Sequence, residues 1–303
     1  MAPSGEQIEL VHGDQRLVVV GGGGGVRRYT LDGRDLLDGY EEHETCRGGR
    51  GQLLIPWPNR IRDGRYRFAE ESHQLAITEP ATGHAIHGLV RWGRWDVVDR
   101  TASSATMTHL LLANPGYPHT LALRADYALG DAGLTVTVGA TNVGATPAPY
   151  GSGAHPYLRA ALGTVDSCRL RVPAASRLIA DERQIPVGRE HVEGTEYDFR
   201  EAREIGALKL DTAFADLVRD SDGLARVMVR DPRTQLALTL WMDAAHEYVM
   251  VFTGDTLTER RRHAVAIEPM TCPPNAFASG DQLHVLEPGE QHEARWGITP
   301  TLA

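Results

Sequence analysis

Five short segments of this chain carry side chains able to move protons or grip a polar ligand. The sharpest is Ala264-Val265-Ala266-Ile267-Glu268-Pro269-Met270-Thr271, where small apolar residues of strand-forming type run straight into a carboxylate. A carboxylate at the end of a buried strand is costly unless it is paired or used, so Glu268 is the leading candidate for a general base. Gly151-Ser152-Gly153-Ala154-His155-Pro156-Tyr157 supplies a complement. There Pro156 holds His155 extended, and an imidazole so placed suits a proton donor with a pKa near working pH. His84-Ala85-Ile86-His87-Gly88 adds His87 as a neutral hydrogen-bonding or acid/base group, and Trp92 downstream offers an aromatic face to a sugar ring. Trp95 reads as core packing. The His84/His87 pair has no helix to put both rings on one face and no cysteine partner, so it does not read as zinc.

Two further segments look like grips rather than proton carriers. In Pro56-Trp57-Pro58-Asn59-Arg60-Ile61 the prolines forbid a helix and stiffen the loop that holds Arg60. Its fork of donors suits a pair of sugar hydroxyls or a carboxylate, a surface salt bridge being the plainer alternative. Asp211, between apolar neighbours in Leu210-Asp211-Thr212-Ala213-Phe214, reads either as a functional acid or as a turn or capping residue.

These side chains must be positioned by strands. Short β-favouring runs recur along the chain: Leu17–Val20, Ala105–Leu112, Leu121–Leu129, Leu134–Thr141, Arg226–Arg230, Gln235–Met242, Tyr248–Thr253 and Val265–Glu268. Leu134-Thr135-Val136-Thr137-Val138 alternates apolar and polar residues as a half-buried strand does. Gly130-Asp131-Ala132-Gly133 and Asp231-Pro232-Arg233-Thr234 join two pairs of runs into hairpins. Helical periodicity is weak, with at most a turn or two in Arg200–Leu210. Strands without intervening helices predict one large antiparallel β domain, a β-sandwich or a barrel, and no linker or fixed-period repeat divides residues 1–303. The five glycines Gly21–Gly25 lack the helix and the lysine of a phosphate loop, and are expected to form a flexible hairpin connection.

Composition narrows the partners. With 31 basic against 40 acidic residues the 303-residue chain carries a formal charge of −9, which argues against nucleic acid or an anionic membrane. Lys209 is the single lysine, so Schiff-base and P-loop chemistry have no other residue to use. Three scattered cysteines, Cys46, Cys168 and Cys272, form no CxxC pair and fit a reducing, cytoplasmic setting. No stretch approaches the ~20 apolar residues of a membrane helix, and no signal peptide is apparent. A small-molecule substrate, handled by a monomer or homodimer, is the expected partner.

Taken together, the five segments resemble the aldose 1-epimerases, or galactose mutarotases. The order matches: Asn59-Arg60-Ile61, His87-Gly88, His155-Pro156-Tyr157, Asp211-x-Ala213-Phe214, Val251-Phe252-Thr253-Gly254, Glu268, and the closing Leu286-Glu287-Pro288-Gly289-Glu290 and Trp296-Gly297-Ile298. The resemblance implies the family's large twisted antiparallel β-sandwich, the mutarotase-like supersandwich, with the site in a groove on its concave face. It also implies Glu268 as base, His155 as acid and His87 assisting at the ring oxygen or a neighbouring hydroxyl. Arg60, Asp211, Asn59 and Trp92 would bind the sugar, with no cofactor and no metal. Two departures stand out. His84 replaces a frequent asparagine, and Glu268-Pro269-Met270-Thr271 replaces a Glu-Thr-Gln pattern, which resembles a bacterial subgroup with some members acting on modified sugars, sulfonated glucose included. A sugar-binding protein without turnover, an epimerase of phosphorylated or sulfonated hexoses, and a metal-dependent hydrolase or isomerase built on His84, His87 and His155 are the alternatives.

Overall fold

A computed structural model describes residues 1–302. Its two large sheets follow from the alternation seen in the sequence. In Leu121–Gly130 and Gly133–Asn142, alternate residues are buried throughout, and the two strands pair from Leu121–Asn142 down to Gly130–Gly133 around a tight Asp131-Ala132 turn. They belong to a nine-stranded antiparallel sheet. Its order is Asp96–Arg100, Ser104–Leu111, Leu121–Gly130, Gly133–Asn142, Gln291–Leu302, Leu236–Met242, Ala225–Arg230, Arg169–Arg171 and Arg203–Glu204. The second predicted hairpin is also present, as Ala225–Arg230 paired with Leu236–Met242.

The other large sheet carries the polar segments. Its order is Pro186–His191, Ala174–Ala180, Asp211–Leu217, Tyr248–Phe252, Val265–Met270, Gly153–Ala154 and Leu53–Leu54, with Tyr157–Leu158 also pairing to Val265–Met270. The period-two geometry of a strand divides its residues between two faces. Phe214, Val249, Val251, Val265 and Ile267 enter the main apolar core, which runs from Ile8 to Ile298. Ala213, Tyr248, Met250 and Met270 pack together as a separate cluster, and Ala266 packs with Tyr157 and Ala264. Glu268 alternates with Ala266 and Met270 and so lies on that second face, away from the main core.

The N-terminal strands Gln7–His12, Gln15–Val20, Val26–Leu31 and Arg34–Asp35 form a four-stranded sheet. Gly21–Gly25 connects the second to the third, as expected, but it is not a loose connection. Four of the five glycines are buried. A Cβ at Gly23, whose φ is +79°, would lie 2.3 Å from the Arg91 carbonyl oxygen, and one at Gly24 2.9 Å from the Trp95 indole. Close approach, not flexibility, selects glycine here. Trp95 is core, as its sequence setting indicates. The one α-helix among the described residues is the single turn Ala276–Ser279. Among the described residues no helix is long and apolar enough to cross a membrane.

Candidate active site

Register brings the candidate proton carriers together. Gly153 lies opposite Met270 and Tyr157 opposite Ala266, which sets His155 opposite Glu268. The His155-Pro156 step breaks the strand between those two short pairings. The glycines before it are needed for packing: a Cβ on Gly153 would meet the Pro269 carbonyl oxygen at 2.8 Å and Pro58 at 3.0 Å. His155 Nε2 then stands 3.2 Å from Glu268 Oε1, both side chains almost fully buried at 6% and 3% exposure. His155 Nδ1 and Glu268 Oε2 have no hydrogen-bond partner. With Nδ1 unbonded and Nε2 facing a carboxylate oxygen, the imidazole proton belongs on Nε2, in a close contact rather than an aligned hydrogen bond.

A second ladder delivers His87 and Arg60. Arg60 pairs with Ile86 and Ile61 with Ala85. Asn59, in the left-handed region that asparagine tolerates, accepts the His87 backbone N–H (2.8 Å) and donates its own N–H to His87 Nδ1 (3.2 Å). An accepting Nδ1 assigns the His87 proton to Nε2. Gly88 follows at φ +70°, and a Cβ there would sit 2.0 Å from the Ile55 carbonyl oxygen. The His87 and His155 rings meet edge to face at 5.3 Å.

These groups line a cavity of about 260 Å³ with Asn59, Arg60, Glu79, Arg91, Asp211 and Phe252. That is room for one small molecule. Burial in this cavity dominates the electrostatics. It raises Glu268 well above the ordinary carboxylate value, with the Asp211 charge adding to the rise and Arg60 opposing it. Burial likewise raises Asp211, partly offset by Arg60. His155 is lowered to about 3 by burial, against which its own backbone acts and to which Arg91, Arg50 and Arg60 add, and His87 falls well below its ordinary value for the same first reason, aided by His155. The site thus presents two neutral imidazoles and a carboxylate of high basicity, the groups required for proton removal and return.

Several expectations are corrected or sharpened. Arg60 lies at the cavity, yet Nε and Nη2 are already engaged by Glu79 at 2.7 and 2.9 Å, leaving Nη1 as the arm for a ligand. Burial pushes Glu79 up, but hydrogen bonds from Arg60 and Thr82 outweigh it and keep the carboxyl below its ordinary value. Asp211 faces the cavity rather than capping a turn. Asn59 serves first as the clamp on His87, and its Oδ1 accepts the Arg60 N–H at 2.9 Å. Trp92 does not line the cavity. The Val90–Gly93 turn, closed by a 2.9 Å hydrogen bond, puts Arg91 at the cavity and leaves the indole 63% exposed. His84 is also elsewhere: Nδ1 accepts the Asp63 N–H (3.0 Å) and Nε2 donates to the Arg183 carbonyl (3.1 Å). A metal set of His84, His87 and His155 is therefore not assembled. His87, His155 and Glu268 do offer ligand atoms within 4.8 Å of one another, a spacing a divalent cation would have to tighten. Glu79 and Arg91 carried no sequence signal beyond their position between motif residues.

The comparisons with known proteins agree with this fold. The structure resembles a galactose 1-epimerase from Lactobacillus acidophilus NCFM (TM-score 0.82, 20% identity, covering 97% of this chain and 94% of that one). It also resembles a GalM/aldose epimerase homologue from C. elegans (TM-score 0.88, 18% identity, 98% and 99% covered). In sequence it is 36% identical to the uncharacterized protein YihR of Escherichia coli (strain K12) over 296 residues, 97% of this chain and 93% of that one. The aldose 1-epimerase family model matches residues 6–299, which span every segment that builds the cavity, and the chain belongs to that family.

Proposed function

We propose that the protein interconverts the α and β anomers of a free aldose. Glu268 takes the proton from the C1 hydroxyl while His155, charged as the imidazolium in the sugar complex, gives its Nε2 proton to the ring oxygen and becomes neutral; the bond from C1 to the ring oxygen breaks and leaves the open aldehyde. Rotation about C1–C2 turns the other carbonyl face to the ring hydroxyl. Reclosure returns both protons, so nothing is consumed. His87, with its proton on Nε2, donates to the ring oxygen or a neighbouring hydroxyl. Arg60 through Nη1, and Asp211, hold further hydroxyls. The observation that carries this reading is the buried His155–Glu268 contact, Nε2 to Oε1 at 3.2 Å, which places an imidazole and a carboxylate side by side at the cavity. The free, buried cysteines fit a cytoplasmic setting.

Arg91 favours a second reading within the same chemistry. It lines the cavity, has no carboxylate partner within ion-pair distance among the described residues, and makes one long hydrogen bond, 3.5 Å to the Ile86 carbonyl. A mostly buried, unpaired guanidinium suits an aldose bearing a sulfonate or phosphate. Freshly dissolved single anomers of neutral hexoses and of their sulfonated and phosphorylated counterparts, followed by polarimetry or NMR with a metal chelator present, test both. The expected result is acceleration of at least one sugar. If the charged sugars lead, Arg91→Met should cut their kcat/KM advantage about tenfold or more. Spontaneous rates throughout would leave a sugar-binding role instead, and activity lost only to the chelator would favour a metal at His87, His155 and Glu268.

A further inference from the structure

A histidine that carries protons is ordinarily aimed by a hydrogen bond on its far nitrogen, from a carboxylate or a carbonyl. His155 has no such partner: Nδ1 is buried and unbonded. What touches the ring instead is aromatic. The Tyr157 ring stacks on it at 4.8 Å with 15° between the planes. Tyr157 is itself fixed at several points. Its hydroxyl donates to the Gly48 carbonyl (2.9 Å), and its carbonyl accepts the Asp38 N–H (2.9 Å). The Arg50 guanidinium lies 5.1 Å from the ring centre. Arg50 in turn is gripped by Asp38 at 3.1 Å, a carboxylate with 2% exposure that also holds Arg260 at 3.1 Å. Gly49 closes on the imidazole from the same loop, where a Cβ would come within 2.9 Å of His155 Cδ2. The ring is therefore walled in by contact, from a neighbour anchored to a buried ion pair.

We propose that Tyr157, braced by Arg50 and Asp38, is the positioning residue for His155, aiming Nε2 at Glu268 by stacking in place of the usual hydrogen bond on the far nitrogen. The proposal rests on the acid role given to His155 for its kinetic part, and on geometry alone for its spectroscopic part. Without the stack the imidazole is free to rotate about its side-chain bonds, and Nε2 leaves the carboxylate. A misplacement of about 1 Å at a reacting group costs on the order of 10²-fold in rate.

The test uses protein labelled with ¹⁵N in histidine, with the His155 ring signals identified by their loss in His155→Asn. The wild type should show one tautomer, protonated on Nε2. Tyr157→Leu should give averaged nitrogen shifts and a kcat lower by about 10- to 100-fold, with KM moving far less. Tyr157→Phe keeps the ring and should restore the single tautomer and most of the lost turnover. If Tyr157→Leu does not fold, Arg50→Met carries the test, with the same changes expected in smaller size. A folded Tyr157→Leu, or failing that Arg50→Met, that keeps the wild-type His155 signals overturns the proposal. Because those signals are read without substrate, an absence of epimerase activity would count against the function and leave the positioning inference to stand or fall on the spectra.

Discussion

Two groups of buried and half-buried carboxylates sit side by side in this fold and are treated in opposite ways. Outside the cavity, Asp38 is bridged by Arg50 and Arg260, and Asp255 by Arg262, which also reaches Asp166 at 2.6 Å. Arg262 further donates to the carbonyls of Leu208 and Gly206. Inside the cavity, Glu268 has only a neutral imidazole within reach, and the Asp211 carboxylate has no ion pair or hydrogen bond among the described residues. Both cavity acids are displaced upward by burial, with incomplete compensation from Arg60. The paired acids hold two loops in place around the site, whereas on the proposed mechanism the unpaired ones keep the free energy of a poorly solvated charge available for a substrate. Placement of guanidinium groups, rather than depth of burial, separates scaffold from chemistry.

The largest expected effect bears on Glu268. Glu268→Gln keeps the shape and removes the basicity, so kcat should fall by about 10²–10⁴-fold. Stability should move the other way. The carboxyl is raised in the folded state, so the stability it contributes is full below its unfolded value. That contribution is lost as pH climbs through the raised one. The glutamine variant should therefore match the wild type in Tm near pH 4 and exceed it above neutrality. A lower Tm at all pH values would place Glu268 with the scaffold acids.

Next in size is Arg262→Met, which strands Asp255 without its bridging partner. Removing one member of a buried pair costs roughly 3–5 kcal/mol, to be read as an earlier midpoint in urea unfolding. An unchanged midpoint would erase the distinction between the two groups. The smallest effect is expected from Asp211→Asn. Losing the charge-assisted part of a hydroxyl contact should raise KM roughly fivefold. Since the Asp211 charge helps hold the Glu268 carboxyl up, the acid limb of the kcat profile should also move to lower pH. A limb that stays in place would mean the two acids do not sense each other.

Much of this was legible in the sequence because it depends on local pattern. Alternation marked the long strands, and a glutamate closing an apolar run marked Glu268, since few scaffold roles suit a carboxylate there. His155, His87, Arg60 and Asp211 were found as polar residues in settings that packing alone explains poorly. The two-residue strands Leu53–Leu54, Gly153–Ala154 and Tyr157–Leu158 were not legible, because segments so short take their conformation from the strand they dock on. Glu79 was invisible because its role exists only through Arg60, nineteen positions earlier and brought near by a separate ladder. Trp92 misled for a related reason: side-chain direction within the Val90–Gly93 turn is set by backbone geometry that aromatic character does not report.

The glycine run has a consequence for how variation in such chains should be weighed. Gly21–Gly25 has the composition of a spacer and would be masked as low complexity or chosen as an insertion point. Yet Gly23 donates its N–H to the Gly93 carbonyl at 2.8 Å, and leaves no room for a methyl group beside Arg91. The stretch welds the N-terminal sheet to the turn that carries Arg91 to the cavity. In a saturation scan, its positions should be among the least permissive in the molecule, and repetitive sequence would mark constraint where it usually marks freedom.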